Sequence, residues 1–479
     1  MGAHPHYRAM RFDPQPASYR PDPAILPLLP WLADPVEAAR FPRHDLRFRN
    51  DRWAAAVGLA ELSDAAWVDH FGRFAPLSDN LPQPLALRYH GHQFRVYNPE
   101  IGDGRGFLFA QLRDGDDRLL DLGTKGSGRT PWSRTADGRL TLKGAVREIL
   151  ATEMLEALGV YTSKTFSVVE TGEELVRGDE PSPTRSAVLT RLSHGHIRIG
   201  TFQRLLVLEE RDHTRLLVDY CLAQYPGPPA PEDAPDRDNP AVRLLHQVVE
   251  RLADLAASWM VAGFVHGVLN TDNMNISGES FDYGPWRFLP KWEPGFTAAY
   301  FDHQGLYAFA RQPEAVQWNL GQLAITLRPL CEAKPLLAAL ERFGPLYTAA
   351  LAKRWCWRLG VAPRGEDADA HLVSACERAM REDGSQPDAF FHRHRGGRHA
   401  TGALAEALEG YVGVDEDAEY WSDDGPETMV IEEVERIWAA IDRDDDWTAL
   451  TRKIAAIRRM GAAHGEPPVP AGHIGRDRT

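Results

Sequence analysis

Cysteine is scarce in this chain of 479 residues: Cys221, Cys331, Cys356 and Cys376 are the only four, and they show no CxxC or other metal-ligand spacing. That excludes a disulfide framework as the basis of the fold and makes a reducing compartment the expectation. Long apolar runs are missing too, since none approaches the ~18 residues of a membrane span. The opening MGAHPHYRAMRFDPQP has no apolar signal core, and His6 stands where myristoylation wants Ser or Thr. A cytoplasmic protein with no membrane partner is expected. There is no basic excess: the formal charge of −14 argues against a general nucleic-acid binder. No internal repeat is present either.

What is present is an ordinary globular composition whose character changes along the chain. Residues 1–50, rich in Pro and Arg, read as an irregular wrap. Between Gly102 and Leu192, GFLFAQLRD, RLLDLGTKG, TFSVVETG and SAVLTRL read as strands of a mainly antiparallel sheet. One helix interrupts them from Thr141 to Gly159, with apolar residues at helical spacing from Leu142 to Leu158. After Thr201 come amphipathic helices: TFQRLLVLEERDHTRLLVDYCLAQ, then NPAVRLLHQVVERLADLAASWMVAGF beyond a Pro- and acid-rich loop at 225–240. More helix is expected at 312–332, 333–360 and 426–460. The fold class is α+β, with the two-lobed plan of protein kinases plus N- and C-terminal extensions. Residues 1–200 would form the extension and sheet lobe, and 201–479 the helical lobe and its extension.

The chemistry concentrates in HGVLNTDNMNISGESFDYG, residues 266–284. Phosphoryl-type transferases hold Mg²⁺ through a carboxylate and an amide or second carboxylate. His266 and Asn273 have the spacing of the kinase HRDxxxxN loop, and Asp282-Tyr283-Gly284 reads as a DFG variant. Asn273 and Asp282 are therefore candidate metal ligands. Gly267 and Val268 occupy the places of the kinase Arg and catalytic Asp, and valine accepts no proton. Asp272 is the nearest carboxylate able to take over.

The sheet region supplies cations. Lys125 follows an apolar strand and Glu148 lies on the next helix, the order of the kinase Lys–Glu ion pair. Gly102-Asp103-Gly104-Arg105-Gly106 lets backbone approach a phosphate, although such a run alone is more often a turn. Arg191 and Arg198 offer forked donors to phosphate if the fold brings them to the cleft. The pairs His90/His92, His194/His196 and His392/His394 invite a zinc reading, but no Cys or carboxylate partner shares a ligand spacing with them. The acidic run at 415–424 reads as solvated surface.

At these residues the chain resembles the selenoprotein O family of pseudokinase-fold protein adenylyltransferases. The resemblance is carried by GHQF (91–94), NPEIGDGRG (98–106), DLGTKGSGRTPWSRTADGRLTLKGAVRE (121–148), SHGHIRIGTF (193–202), HGVLNTDNMNI (266–276), FDYGPW (281–286) and the stretch 301–324. It implies ATP bound in a flipped orientation and AMP passed to a Ser, Thr or Tyr hydroxyl of a protein, with pyrophosphate released. It implies Asp272 as proton acceptor, Asn273 and Asp282 as ligands of Mg²⁺ (or Mn²⁺), and Lys125, Arg191 and Arg198 on the phosphates. Glu148 would orient Lys125, and Gly102, Gly104, Arg105, Asp137 and Gly138 would line the nucleotide site.

Two departures stand out. Ala298 replaces a Cys of the family's activation-loop-like stretch, and the tail AGHIGRDRT contains none, so the redox switch implied by the resemblance lacks its residues. Arg95 stands where the family usually has Gly. The competing expectations are an atypical kinase transferring the γ-phosphate and a catalytically silent nucleotide-binding scaffold.

Overall fold

The computed structural model describes residues 14–178, 180–414 and 418–468. The N-terminal signal reading, the tail AGHIGRDRT and part of the acidic run therefore fall outside the described residues.

An eight-stranded sheet is built from β1 (Ala33–Pro35), β2 (Asp45–Arg49), β3 (Leu85–Leu87), β4 (Leu108–Arg113), β5 (Leu119–Lys125), β6 (Leu140–Thr141), β7 (Lys164–Leu175) and β8 (Thr184–Ser193). Its order is β1-β3-β4-β5-β8-β7-β2, with β6 attached to β8 and every pairing antiparallel. Strand periodicity sends alternate residues to opposite faces. Leu108, Leu119 and Leu189 join a core with α1 (Leu142–Ala157), while Phe109, Leu120 and Val188 join an aromatic cluster around Trp67, Phe71 and Phe166. Both faces are thus covered, and all seven residues of β5 are buried.

The four strands read from sequence are β4, β5, β7 and β8. Residues 1–50 needed correction. They are no irregular wrap throughout, because β1 and β2 form the two edges of the sheet. The first helical segment after Thr201 also divides, into α2 (Ile199–Val207) and α3 (Arg211–Gln224), with Glu209 between them at φ 57°. That left-handed residue ends the α2 turn, as an uninterrupted helix does not allow.

The helical part continues through α4 (Pro240–Ala262), α5 (Gln312–Leu327), α6 (Ala333–Glu341), α7 (Phe343–Leu359) and α8 (Glu366–Asp383), and ends with α9 (Ile431–Asp444) and α10 (Thr448–His464). The signals that bound α4 are local. The Asn239 side chain accepts from Ala241 N, Pro240 starts the helix, and Gly263 ends it at φ 63°. Arg354 on α7 grips Asp254 on α4 through two bonds of 2.8 and 2.6 Å, and donates to Gly159 O just beyond α1.

The last two helices fold back on α1. Arg458 on α10 holds both oxygens of Glu153 at 2.8 and 2.6 Å, and Lys143 reaches Glu435 on α9 at 2.8 Å. The acidic run is not simply solvated surface: Tyr420 and Trp421 within it are buried, with Trp421 against His392 and His464. Among the described residues, no helix is long and apolar enough to cross a membrane.

Candidate active site

The segment 266–286 is closed at its base by a short antiparallel pairing of Phe264–Val265 with Arg287–Phe288. Within it, His266 donates from Nε2 to Phe281 O at 2.9 Å, which ties the start of the loop to the residue before Asp282. Thr271–Asn273 form one tight helical turn. A hairpin of Gly91–Gln93 with Val96–Asn98 braces that turn. His92 N donates to Thr271 Oγ1 at 2.7 Å, and Phe94 N to Asn270 Oδ1 at 2.9 Å. From the other side Asn319 donates to Leu269 O and Tyr307 to Asn270, each at 2.8 Å. The turn is therefore held from three elements, which fixes what its side chains present.

Asp272 is 9% exposed, and its Oδ1 is buried with no hydrogen-bond partner. Burial pushes its carboxyl up to about 6, with the Arg198 guanidinium opposing. The neighbouring Asn273 spends its Nδ2 on Val268 O at 3.0 Å, which leaves its amide oxygen as the remaining polar atom of that side chain. Val268, useless as a base, anchors this amide through its backbone.

Asp282 takes the left-handed conformation, φ 60°, which is strained for a residue with a side chain. Its Oδ1 lies 3.0 Å from Lys125 Nζ and 3.7 Å from Arg191 Nη1. Burial opposes its ionisation, but Lys125, Arg191, Arg105 and Arg198 together hold its carboxyl well below the usual carboxylate range. Lys125 Nζ also donates to Glu148 Oε2 at 2.8 Å, joining the end of β5 to α1. Arg198, the residue before α2, donates to Tyr89 OH and Asp272 O at 3.1 Å and to Asp103 Oδ1 at 3.0 Å. Arg191, on β8, is buried, and its Nε and Nη1 make no hydrogen bond, although Nη1 lies 3.8 Å from Glu148 Oε1 and 3.7 Å from Asp282 Oδ1.

Arg105, Lys125, Arg191, Arg198 and Asp282 thus share one small polar pocket, with Tyr89 and Asp103 in its wall. Arg105 and Lys125 also belong to a wider outer groove that runs toward Gly284 and Tyr300. Buried guanidinium donors without acceptors are costly unless an anion satisfies them. The pocket is therefore chemically suited to phosphate oxygens.

Of the glycines and Asp137 singled out from sequence, Gly106 lines this pocket, while Gly102, Gly104, Asp137 and Gly138 do not. A Cβ on Gly102 would meet the Trp132 ring at 2.5 Å, and one on Gly104 would lie 3.0 Å from Trp132 O. The closest approach belongs to Gly106, where a Cβ would lie 2.0 Å from Thr124 O. Asp137 is exposed and paired with Arg177 at 2.8 Å, while Gly138, at φ 71°, packs against Gly128. Neither lines the pocket, but Arg177 and Arg139, which Asp137 engages, line the outer groove.

The histidines are engaged elsewhere. His90 meets Tyr97 OH at 2.6 Å, His92 meets Gln203 at 2.7 Å, His194 meets Tyr161 OH at 2.7 Å and His196 meets Asp121 at 3.0 Å. His392 and His394 contact the backbone carbonyls of Tyr420 and Arg398. Among the described residues, no group of three or more His, Cys, Asp or Glu is gathered to hold a metal. Ala298 packs beside Gly267, and Arg95 holds φ 62° while pairing with Glu314 at 3.0 Å.

The family described as Protein adenylyltransferase SelO matches residues 18–405 of this chain. The chain belongs to the SelO family. Its similarity extends to individual relatives. Protein nucleotidyltransferase YdiU of Synechococcus elongatus is 51% identical over 341 residues, 71% of this chain and 68% of the relative. The protein of the same name from Gloeobacter violaceus is 41% identical over 469 residues, 91% of this chain and 95% of its own. That of Cereibacter sphaeroides is 38% identical over 370 residues, covering 76% and 74%. As a SelO-family member the chain is an enzyme, a nucleotidyltransferase.

Sequence reasoning missed Tyr89, Asp103 and Phe281. Tyr89 and Asp103 bond to Arg198, and the Phe281 ring lies 5.3 and 5.0 Å from the Arg191 and Arg198 guanidinium carbons. Asp103 stood between two flagged glycines, and Phe281 directly before Asp282. Tyr89 carried no signal of its own.

Proposed function

We propose that this SelO-family enzyme transfers AMP from ATP to a Ser, Thr or Tyr hydroxyl of an acceptor protein, with the nucleotide held phosphates inward. The observation that carries this reading is the Arg191 guanidinium, buried with Nε and Nη1 making no hydrogen bond, in a polar pocket shared with Lys125 and Arg198. An adenine ring offers those donors only neutral ring-nitrogen acceptors, whereas the terminal phosphates offer charged oxygens that also balance the cations. The nucleoside then extends into the outer groove, and the α-phosphate comes to the passage between the two, where Arg105 and Lys125 line both.

In this reading the acceptor oxygen attacks the α-phosphorus, the α–β anhydride bond breaks and pyrophosphate leaves. Asp272 takes the hydroxyl proton, a role suited to a carboxyl raised to about 6. Lys125, oriented by Glu148, neutralises phosphate charge together with Arg191 and Arg198. Asn273 and Asp282 offer oxygen donors of the kind Mg²⁺ or Mn²⁺ prefers, and two protein ligands leave room for water and phosphate. Held there, such an ion would supply Lewis-acid neutralisation of the phosphate oxygens.

We also assign residues 1–200 and 201–479 to the two lobes of a kinase-like fold. The Lys125–Glu148 pair, between a strand and the helix after it, supports that division. The deciding test incubates the purified protein with divalent cation, an acceptor protein and ATP labelled at the α- or γ-phosphate. Protein label from α-labelled ATP alone is the expected outcome. Label from the γ-position alone would sink the reading in favour of a kinase, and no label from either in favour of a silent scaffold.

A further inference from the structure

The outer groove carries more positive charge than a nucleoside requires. Seven of its 18 lining residues are Arg or Lys and two are acidic, in a chain whose formal charge is −14. Most of these cations are committed. Arg139 is paired with Glu173, Arg177 with Asp137, and Lys143 with Glu435. Arg147 and Arg287 differ, because among the described residues neither has a carboxylate within ion-pair distance. Arg147, on α1, donates only to Gly284 O at 3.4 Å and Trp286 O at 3.2 Å, with its guanidinium 4.7 Å from the Trp286 ring centroid. Arg287 donates to Pro285 O at 3.0 Å and Trp286 O at 2.8 Å.

Two guanidiniums that share one carbonyl repel each other. Burial and then the charge of Arg287 push the Arg147 guanidinium down to about 10, with the more distant Glu435 and Glu180 opposing. An anion placed between them relieves that repulsion and uses donors that carbonyls leave free. The surroundings point to a macromolecular source for that anion. A Cβ at Gly284 would meet nothing within 4 Å, and Tyr300, 80% exposed, stands with Phe301 on the same groove.

We propose that the Arg147–Arg287 pair docks an acidic side chain of the acceptor protein, next to the hydroxyl that receives AMP. This rests on the adenylyl-transfer reading and adds a substrate class to it: acceptors with Asp or Glu near the modified residue. Exposed aromatic rings beside the pair supply apolar contact to the same chain.

The test uses the full chain, saturating Mg²⁺ and α-labelled ATP, and peptides identical except for one position beside a single Tyr: Glu, Gln, Lys or phosphoserine. The wild type should use the Glu peptide about ten-fold better than the Gln peptide in kcat/KM, mainly through KM, as one charge-assisted bond allows. Arg287→Gln should bring that ratio close to one, and Arg287→Glu should invert it toward a Lys peptide. Equal use of Glu and Gln peptides by the wild type would overturn the proposal. A phosphoserine peptide used ten-fold better than the Glu peptide would overturn the carboxylate in favour of phosphate. Anisotropy of fluorescein-labelled Glu and Gln peptides separates this proposal from the reading beneath it. Tighter binding of the Glu peptide, lost in Arg287→Gln, supports the docking pair even where no AMP is transferred. Equal binding of the two peptides refutes it.

Discussion

Two adjacent residues in the turn at Thr271–Asn273 divide the chemistry. Asp272 is buried with one oxygen unpartnered, while Asn273 is pinned through Val268 O. Asp272→Asn keeps the shape and removes the proposed base, so we expect a fall in kcat of about 10²–10⁴ with nucleotide affinity nearly unchanged, read by single-turnover kinetics and calorimetry. The pH dependence follows from the same residue. A base acts only when deprotonated, and Asp272 sits at about 6. kcat/KM should therefore fall below that pH and level off above it, and Asp272→Asn should lack this limb. A limb near the ordinary carboxylate range would exclude Asp272 as the base. At this scale the sequence was most legible where order and residue type coincide, as for the Lys125–Glu148 contact read from a strand Lys followed by a helix Glu. Arg147 and Arg287 were illegible, because being unpaired is a property of neighbours and not of residue type.

Elements are specified by their ends. The Thr141 hydroxyl accepts from Gly144 N at 3.1 Å and starts α1, the helix that carries Glu148. Thr141→Ala should cost about 1 kcal/mol in a denaturant midpoint series. Asp254→Ala should cost more, about 3–5 kcal/mol, because it leaves the Arg354 guanidinium buried without its carboxylate. The same logic explains which elements sequence reading found. α4 announces itself with Asn-Pro at its start and Gly at its end, and β4, β5, β7 and β8 with apolar runs. β1 and β2 do not: ADP and DLRFR are short, mostly polar edge strands, and only pairing with β3 and β7 makes them strands.

Over the whole molecule, the final helices complete the region that precedes them by more than 250 residues. Arg185 and Arg47 on the sheet pair with Asp445 just after α9, at 2.7 and 3.1 Å, and Arg458 on α10 pairs with Glu153 on α1. Removing residues from 426 onward should uncover the apolar face of α1, lower the thermal transition by several degrees and weaken nucleotide binding. An unchanged nucleotide affinity in a folded truncation would show that α1 holds Glu148 in place unaided. None of this tie was legible in sequence, since the partners are far apart along the chain and each is an ordinary charged residue.

The strap across α1 has a further meaning for control. A helix packed between a sheet and two later helices has its Glu148 already paired with Lys125. In the AMP-transfer reading, no swing of α1 has to precede catalysis.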